Sequence, residues 1–184
     1  TMTIQNHSSY DVPFDNFDDK RIVVENADAP DLGYYLSLIK YSDEMFENLI
    51  NYYDKSWGRF KNKTRPVIGN HEFHQGSVAG YFDYFNGVDQ ISGVAGERDK
   101  GYYSFEKSGW KFYALNSNCW SVEGCDSSSP QWKWLEQEFR TSSSKCQIAY
   151  FHHPLFNSGL HGAFDEVSPL WELMYQYQVE MILN

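Results

Sequence analysis

The chain has 184 residues, enough for one domain with a hydrophobic core, and 18% of its residues are aromatic, so large rings are expected to dominate the packing. Its net charge of -10 argues against a nucleic-acid partner, because a phosphate backbone requires Lys and Arg. No apolar run approaches the roughly 20 residues that a membrane-spanning helix needs.

The first third of the chain predicts a strand, a helix and a second strand. Residues 32–41 form an apolar run suited to a buried strand, and Asp43 is a candidate N-cap for the helix that follows. Four apolar residues would share one face of this helix, namely Phe46, Leu49, Ile50 and Tyr53. Residues 64–68, which are rich in β-branched and apolar side chains, predict the next strand.

The remainder of the chain alternates loops, strands and helices. Residues 75–101 are rich in Gly, Ser and Asp and predict a long loop. Residues 102–105 and 111–115 flank a Ser-Gly pair and predict a β-hairpin. Pro130 and Pro169 each mark the start of a helix with apolar residues at helical spacing. Further strands are predicted at residues 148–151 and 181–183. This alternation of strands and helices indicates α/β layering.

Two histidine clusters follow predicted strands. Asn70, His71 and Glu72 come after the strand at residues 64–68, and His152-His153-Pro154 follows the strand at residues 148–151. Gly69 is interpreted as permitting a backbone turn that a side chain would hinder. Ligands of α/β sheets usually lie beyond the carboxyl ends of strands, and imidazole and amide groups are metal ligands. Together the two clusters predict a metal site at the edge of a sheet.

These clusters belong to a series of segments that resembles the calcineurin-like metallophosphoesterases, in their secreted, purple-acid-phosphatase-like branch. The segments are YYDKSWGRFK at 52–61, TRPVIGNHEFH at 64–74, GYFDYF at 80–85, GYYSF at 101–105, ALNSNC at 114–119 and AYFHHPLF at 149–156. The resemblance implies an α/β (α+β) fold, a four-layer αββα sandwich that is incomplete at both ends here. It implies a partial domain over residues 30–184, preceded by a poorly defined segment at residues 1–29.

The resemblance also implies an activity, the hydrolysis of small phosphate monoesters by a metal-bound hydroxide. Asn70, His152 and Tyr41 are the implied metal ligands. His71 is implied to contact the phosphate or its leaving group, and His161 is a candidate general acid. The complete parent would hold a pair of iron, zinc or manganese ions, whereas this chain would hold at most one metal weakly.

Two further residues are implied to support the ligands without binding metal. Glu72 is expected to order the loop of Asn70 by hydrogen bonds, and His153 is expected to support His152 in the same way.

The sequence departs from the family pattern at three motifs. Ser37 and Leu38 stand where the family has Gly-Asp, and the family's Asp bridges the two metals, although Tyr41 of that motif is retained. The Asp expected on the first strand has only Asp11 as a weak match. The final Gly-His-x-His motif would follow Asn184, the last residue of this sequence. We therefore expect weak metal binding and an inactive chain as given.

Two interpretations of these departures stay open. The chain is either the middle of a secreted metallophosphoesterase, or a pseudoenzyme or binding scaffold that keeps the fold without catalysis. The replacement at Leu38 favours the second interpretation, whereas the retained histidine clusters favour the first. The sequence does not indicate the oligomeric state.

The cysteines and sequons bear on the compartment. Cys119 and Cys125 flank a short loop that commonly carries a disulfide in the resembled family, so a local bridge is predicted. Cys146 would then remain as a buried thiol or pair with a segment that is missing here. A disulfide favours an oxidising compartment, and Asn-x-Ser/Thr sequons occur at Asn6 and Asn62. We expect an extracellular or secreted protein.

Overall fold

The structure is a computed structural model that describes residues 46–47, 49–76, 78–160 and 162–184, with the backbone alone at residues 74–76. The predicted strand at residues 32–41 and the predicted helix cap at Asp43 lie outside these ranges. So do Asp11, Ser37, Leu38, Tyr41 and His161.

A mixed four-stranded sheet forms the centre of the described part. The strands are β1 (Ser92–Gly93), β2 (Gly96–Glu97), β3 (Tyr103–Lys107), β4 (Trp110–Ala114), β5 (Cys146–Tyr150) and β6 (Met181–Leu183). The sheet has the order β3-β4-β5-β6, with β3 antiparallel to β4 and with β4, β5 and β6 mutually parallel. The two short strands β1 and β2 form a separate antiparallel ribbon. The carboxyl ends of three parallel strands therefore meet at one edge.

The β3–β4 hairpin is confirmed, and its turn explains its register. Ser108 and Gly109 join the strands with φ of 51° and 83°. Two consecutive residues with positive φ form the two-residue turn whose twist matches a right-twisted hairpin. Tyr103 is consequently paired with Ala114, and Lys107 with Trp110.

Both faces of the sheet are buried, because alternate residues of β4 and β5 feed two different clusters. Tyr113, Leu115, Ala149 and Phe151 pack on one side, and Phe112, Ala114, Ile148 and Tyr150 pack on the other. Parallel strands covered on both faces read as continuous apolar runs, which is how the predicted strand at residues 148–151 reads in the sequence. The predicted strand at residues 181–183 is confirmed as β6.

Two helices cover the first of these faces. The α-helices are α1 (Asp54–Ser56), α2 (Ala79–Asn86), α3 (Pro130–Thr141) and α4 (Ser168–Gln176). Ser129 caps α3, since its side chain accepts a hydrogen bond from the backbone N–H of Trp132, and Pro130 occupies the first turn. Leu135 of α3 and Leu170 of α4 are fully buried against the sheet. Both helices that were predicted from a leading proline are confirmed.

The prediction of a long loop over residues 75–101 is wrong in part. This region contains α2 and the β1–β2 ribbon. The helix has no side-chain cap at Val78, so the usual sequence signal for a helix start is missing. It is stabilised by aromatic burial instead, because Tyr81, Tyr84 and Phe85 pack with Tyr53 in a third cluster.

The N-terminal helix and the strand before Asn70 also differ from prediction. Residues 49–53 form a π-helix that continues into α1, and Leu49 and Tyr53 are buried, but Ile50 is 40% exposed. A π-helix has more residues per turn than an α-helix, so Ile50 is rotated away from the buried face that was predicted for an α-helix. Residues 64–68 form no strand. Pro66 in their middle has no N–H to donate to a ladder.

The described part also contains short 3-10 helices. They are Gly58–Lys63, Asn70–Gly76, Cys119–Ser121 and Asp165–Val167.

Candidate functional site

The site lies where the parallel strands end. The chain leaves β5 at Tyr150 and reaches His152 two residues later, while β4 ends at Ala114 and is followed by a polar stretch. Because β4 and β5 are parallel and in register, with Ala114 opposite Tyr150, both loops emerge at the same edge. The 3-10 helix that begins at Asn70 comes to the same place.

Asn70 and His152 face each other directly across this edge. His152 Nε2 lies 2.9 Å from Asn70 Oδ1, although the two residues are 82 positions apart in the sequence. With an amide oxygen on one side, the imidazole donates its proton in this arrangement. The separation is that of a hydrogen bond. An amide oxygen and an imidazole nitrogen are also groups that bind divalent metals, and Nε2 would have to release its proton to bind one.

Gly69 is needed for close packing. A side chain would hinder the backbone here, as the sequence interpretation expects, but through crowding, since the φ of Gly69 is not in the left-handed region. A Cβ at position 69 would lie 2.8 Å from Glu72 Oε2 and 3.2 Å from the ring of His152. The Gly69 N–H also donates to Glu72 Oε2 at 2.7 Å. The absent side chain thus lets the His152 ring and the Glu72 carboxylate approach the same backbone.

His153 lies beside His152 and is held by a serine. The backbone N–H of His153 donates to Ser117 Oγ at 2.9 Å, and its ring Nδ1 lies 2.8 Å from the same oxygen. The ring stacks on Phe164, with centroids 4.5 Å apart, and its edge meets the His152 ring at 4.8 Å. These contacts fix the orientation of the His153 imidazole next to the candidate ligand.

A buried polar network follows β4, and the sequence analysis gave it no role. Asn116 exchanges two hydrogen bonds with the Gln131 side chain, each of 2.8 Å, through its backbone N–H and carbonyl. The Asn118 amide donates to the Ile68 carbonyl at 3.2 Å and to Asn116 Oδ1 at 2.9 Å. The network side chains are no more than 2% exposed. The sequence signal was the run of three polar residues at 116–118, directly after the predicted strand at residues 111–115. The two histidines occupy the corresponding position after β5.

Two tyrosines hold the segment that leads to Asn70. The Tyr103 hydroxyl donates to the Pro66 carbonyl at 2.8 Å, and the Tyr150 hydroxyl donates to the Arg65 carbonyl at 2.9 Å. Burial raises the pKa of Tyr103 and that of Tyr150 well above the ordinary value of a phenol. Both hydroxyls therefore stay protonated and act as donors at any pH at which the protein works.

The structure brings some of the predicted site residues together. Asn70, Glu72, His152 and His153 gather at the sheet edge. His71 is partly exposed on the 3-10 helix that begins at Asn70. Within the ranges given above, no group of three or more His, Cys, Asp or Glu side chains could hold a metal ion. The described part thus brings together one pair of candidate ligand atoms, Asn70 Oδ1 and His152 Nε2.

The disulfide prediction is confirmed, because Cys119 and Cys125 are bridged and buried. Cys146, at the start of β5, carries a free thiol. None of the helices in the described ranges combines the length and the apolar character needed to cross a membrane.

Comparison with known proteins supports the fold. A purple acid phosphatase isolated from yellow lupin (Lupinus luteus) seeds, PPD1, matches with a TM-score of 0.50 and 15% sequence identity. The match covers 85% of this chain but 34% of the lupin protein, so the chain spans about a third of that relative. No curated protein matches the chain.

The sequence model of the calcineurin-like phosphoesterases matches residues 15–184, nearly the whole chain. The mixed sheet and its flanking helices agree with that fold, as does the match to the lupin structure. The chain belongs to the calcineurin-like phosphoesterase family.

Proposed function

We propose that this chain is a partial domain, over residues 30–184, of a metal-dependent hydrolase of small phosphate monoesters. One observation carries the proposal, the meeting of Asn70 Oδ1 and His152 Nε2 at 2.9 Å at the carboxyl edge of the sheet. Membership of the phosphoesterase family supports it, because a dinuclear metal centre is general in that family. Iron, zinc or manganese would suit an amide oxygen and an imidazole as ligands.

The residues of this chain have distinct roles in the proposed reaction. When bound, the cation supplies charge neutralisation at the phosphoryl group and hydroxide from water near neutral pH. Asn70 and His152 would hold it, with Tyr41 as a third ligand. His71 donates a hydrogen bond to the phosphate ester, and His161 protonates the departing oxygen. No covalent enzyme intermediate is required.

The supporting residues also fit this proposal. Glu72 accepts the Gly69 N–H and so fixes the backbone one residue before Asn70. His153 is fixed by Ser117 on one side and Phe164 on the other, beside the ligand ring. Partners that hold ligands through hydrogen bonds often matter 10–100-fold for metal affinity.

We further propose that the protein works outside the cell. The buried disulfide between Cys119 and Cys125 is compatible with an oxidising compartment. Asn62 is exposed and begins an Asn-Lys-Thr sequon, which is an acceptor for N-linked glycans in the secretory pathway.

The test is calorimetric titration of the full chain with Zn²⁺ and with Mn²⁺, beside the variants Asn70→Ala and His152→Ala. We expect each variant to lower the affinity at least about 10-fold, since each removes one ligand atom. Asn157→Ala is the matched control, because Asn157 is an exposed Asn beyond the same histidine cluster and bonds only locally, to the Gly159 N–H, in the described structure.

Hydrolysis of an aryl phosphate monoester is measured on the full-length parent and on the same substitutions in it, because the chain as given is expected to be inactive. If the activity is lost in Asn70→Ala and kept in Asn157→Ala, the proposed hydrolase function is supported. A chain that binds neither cation, or whose affinity is unchanged in Asn70→Ala, would refute the proposal and leave the pseudoenzyme or scaffold interpretation.

A further inference from the structure

The polar stretch after β4 lies between the two loops that carry the candidate ligands. Asn118 contacts the backbone that leads into the Asn70 loop, and Ser117 contacts the backbone and ring of His153 in the other loop. Neighbouring residues of one loop are thus bonded to segments that are about 85 residues apart in the sequence. Both residues have 0% exposure.

Asn118 is oriented by its donor side. Its Nδ2 donates to the Ile68 carbonyl and to Asn116 Oδ1, and both partners are acceptors, so the orientation of the amide is fixed. Its Oδ1 is buried and accepts no hydrogen bond from any residue that the structure describes. A buried acceptor without a donor is unfavourable. Departures of this kind are expected where a residue serves a site.

Ser117 and His153 are arranged like a nucleophile paired with a base. The burial of Ser117 excludes a role as a nucleophile. Its Oγ lies 2.8 Å from His153 Nδ1, yet the residue has no exposed surface through which a substrate could reach it. The same oxygen accepts the His153 backbone N–H, so the serine acts on the position of the histidine loop.

We propose that Asn118 and Ser117 are positioning residues that hold the two ligand-bearing loops at one separation. Asn118 fixes Ile68, two residues before Asn70, and Ser117 fixes His153, one residue after His152. The 2.9 Å approach of Asn70 Oδ1 to His152 Nε2 then depends on a single segment after β4, residues 116–118, which we call the brace. The brace itself is anchored to α3, because Gln131 bonds both backbone groups of Asn116. This inference rests on the proposed function only for its consequence in cation binding.

The first test measures position without any metal. An NOE between the His152 ring and the Asn70 side-chain amide protons reports their approach in the full chain. We expect Asn118→Leu and Ser117→Ala to lose this NOE. Asn86→Leu is a matched control, since Asn86 also bonds a backbone carbonyl and a backbone N–H, at Gly96 and Ala95, but contacts neither ligand loop.

The outcomes of this test are decisive. Loss of the NOE in the two brace variants, with its retention in Asn86→Leu, supports the proposal. Retention of the NOE in a folded Asn118→Leu or Ser117→Ala protein overturns it, as does an equal loss in the control. If Asn118→Leu does not fold, Ser117→Ala decides alone, because it removes only the hydroxyl that bonds His153.

The second test measures Mn²⁺ affinity by calorimetry on the same variants. We expect Asn118→Leu to bind about 10-fold or more weakly relative to Asn86→Leu, because the ligand atoms are no longer held together. Equal affinities in these two variants would overturn the positioning role. If the unchanged chain binds no Mn²⁺, the proposed function fails, and the NOE alone decides whether the brace exists.

Discussion

Replacing Gly69 by Ala tests whether close packing at this residue builds the site. The new Cβ would lie 2.8 Å from Glu72 Oε2, so the carboxylate must move away. That movement breaks the 2.7 Å hydrogen bond from the Gly69 N–H to a carboxylate that is 1% exposed. Leaving one partner of a buried hydrogen bond unsatisfied costs about 1–3 kcal/mol of stability. The ring of His152, 3.2 Å from the new Cβ, must also shift by a few tenths of an ångström.

We therefore expect Gly69→Ala to lower the free energy of unfolding by about 2 kcal/mol, measured by urea denaturation with an unchanged m-value. Cation affinity should fall as well, because Asn70 and His152 no longer meet. Gly159→Ala is the control: there too the glycine N–H donates to a side-chain oxygen, that of Asn157, but in an exposed loop. If both variants unfold at the same urea concentration as the unchanged chain, the packing argument is wrong.

Three further predictions concern the tyrosines, the disulfide and the sequon. The raised pKa values of Tyr103 and Tyr150 stabilise the fold fully below pH 10 and lose this contribution above it, at about 1.4 kcal/mol per pH unit for each tyrosine. Replacing either residue by Phe should flatten the alkaline fall of the unfolding free energy, and an unchanged slope would contradict this. Replacing Cys119 and Cys125 by Ala should lower stability by about 2 kcal/mol in chemical denaturation, since their short loop is no longer closed in the unfolded chain. Expression through a secretory pathway should attach a glycan at Asn62, and a band that peptide N-glycosidase shifts in Asn6→Gln, which lacks the other sequon, but not in the double variant Asn6→Gln with Asn62→Gln would show it.

The fold was predictable from the sequence wherever neighbouring residues alone determine the local structure. The Ser108-Gly109 turn, the proline starts of α3 and α4 and the apolar run of β5 each carry their own signal, and the structure follows them. The meeting of Asn70 with His152 agrees with the prediction from two polar clusters after predicted strands, although residues 64–68 form no strand. Their roles as metal ligands remain a prediction.

The remainder depended on contacts that no local pattern encodes. The α2 helix has no capping side chain and is held by rings from distant elements. Residues 64–68 have the composition of a strand, but their carbonyls are taken by side chains of Tyr103, Tyr150 and Asn118. The role of Ser117 could not be predicted from the sequence. It depends on which two loops the brace joins, and the topology of the fold determines that.

The way the segment before Asn70 is held has a consequence for folding. Its carbonyls at Arg65, Pro66 and Ile68 are bonded by residues 85, 37 and 50 positions away. Contacts of such long separation form after the local hairpin and helices, because loop closure must come first. The segment is also held by single side-chain bonds and not by a ladder, while Val67 and Ile68 are buried in two different core clusters. Loss of the ligand geometry is therefore expected to require opening of the core itself, and amide exchange at Ile68 and Gly69 would report that opening.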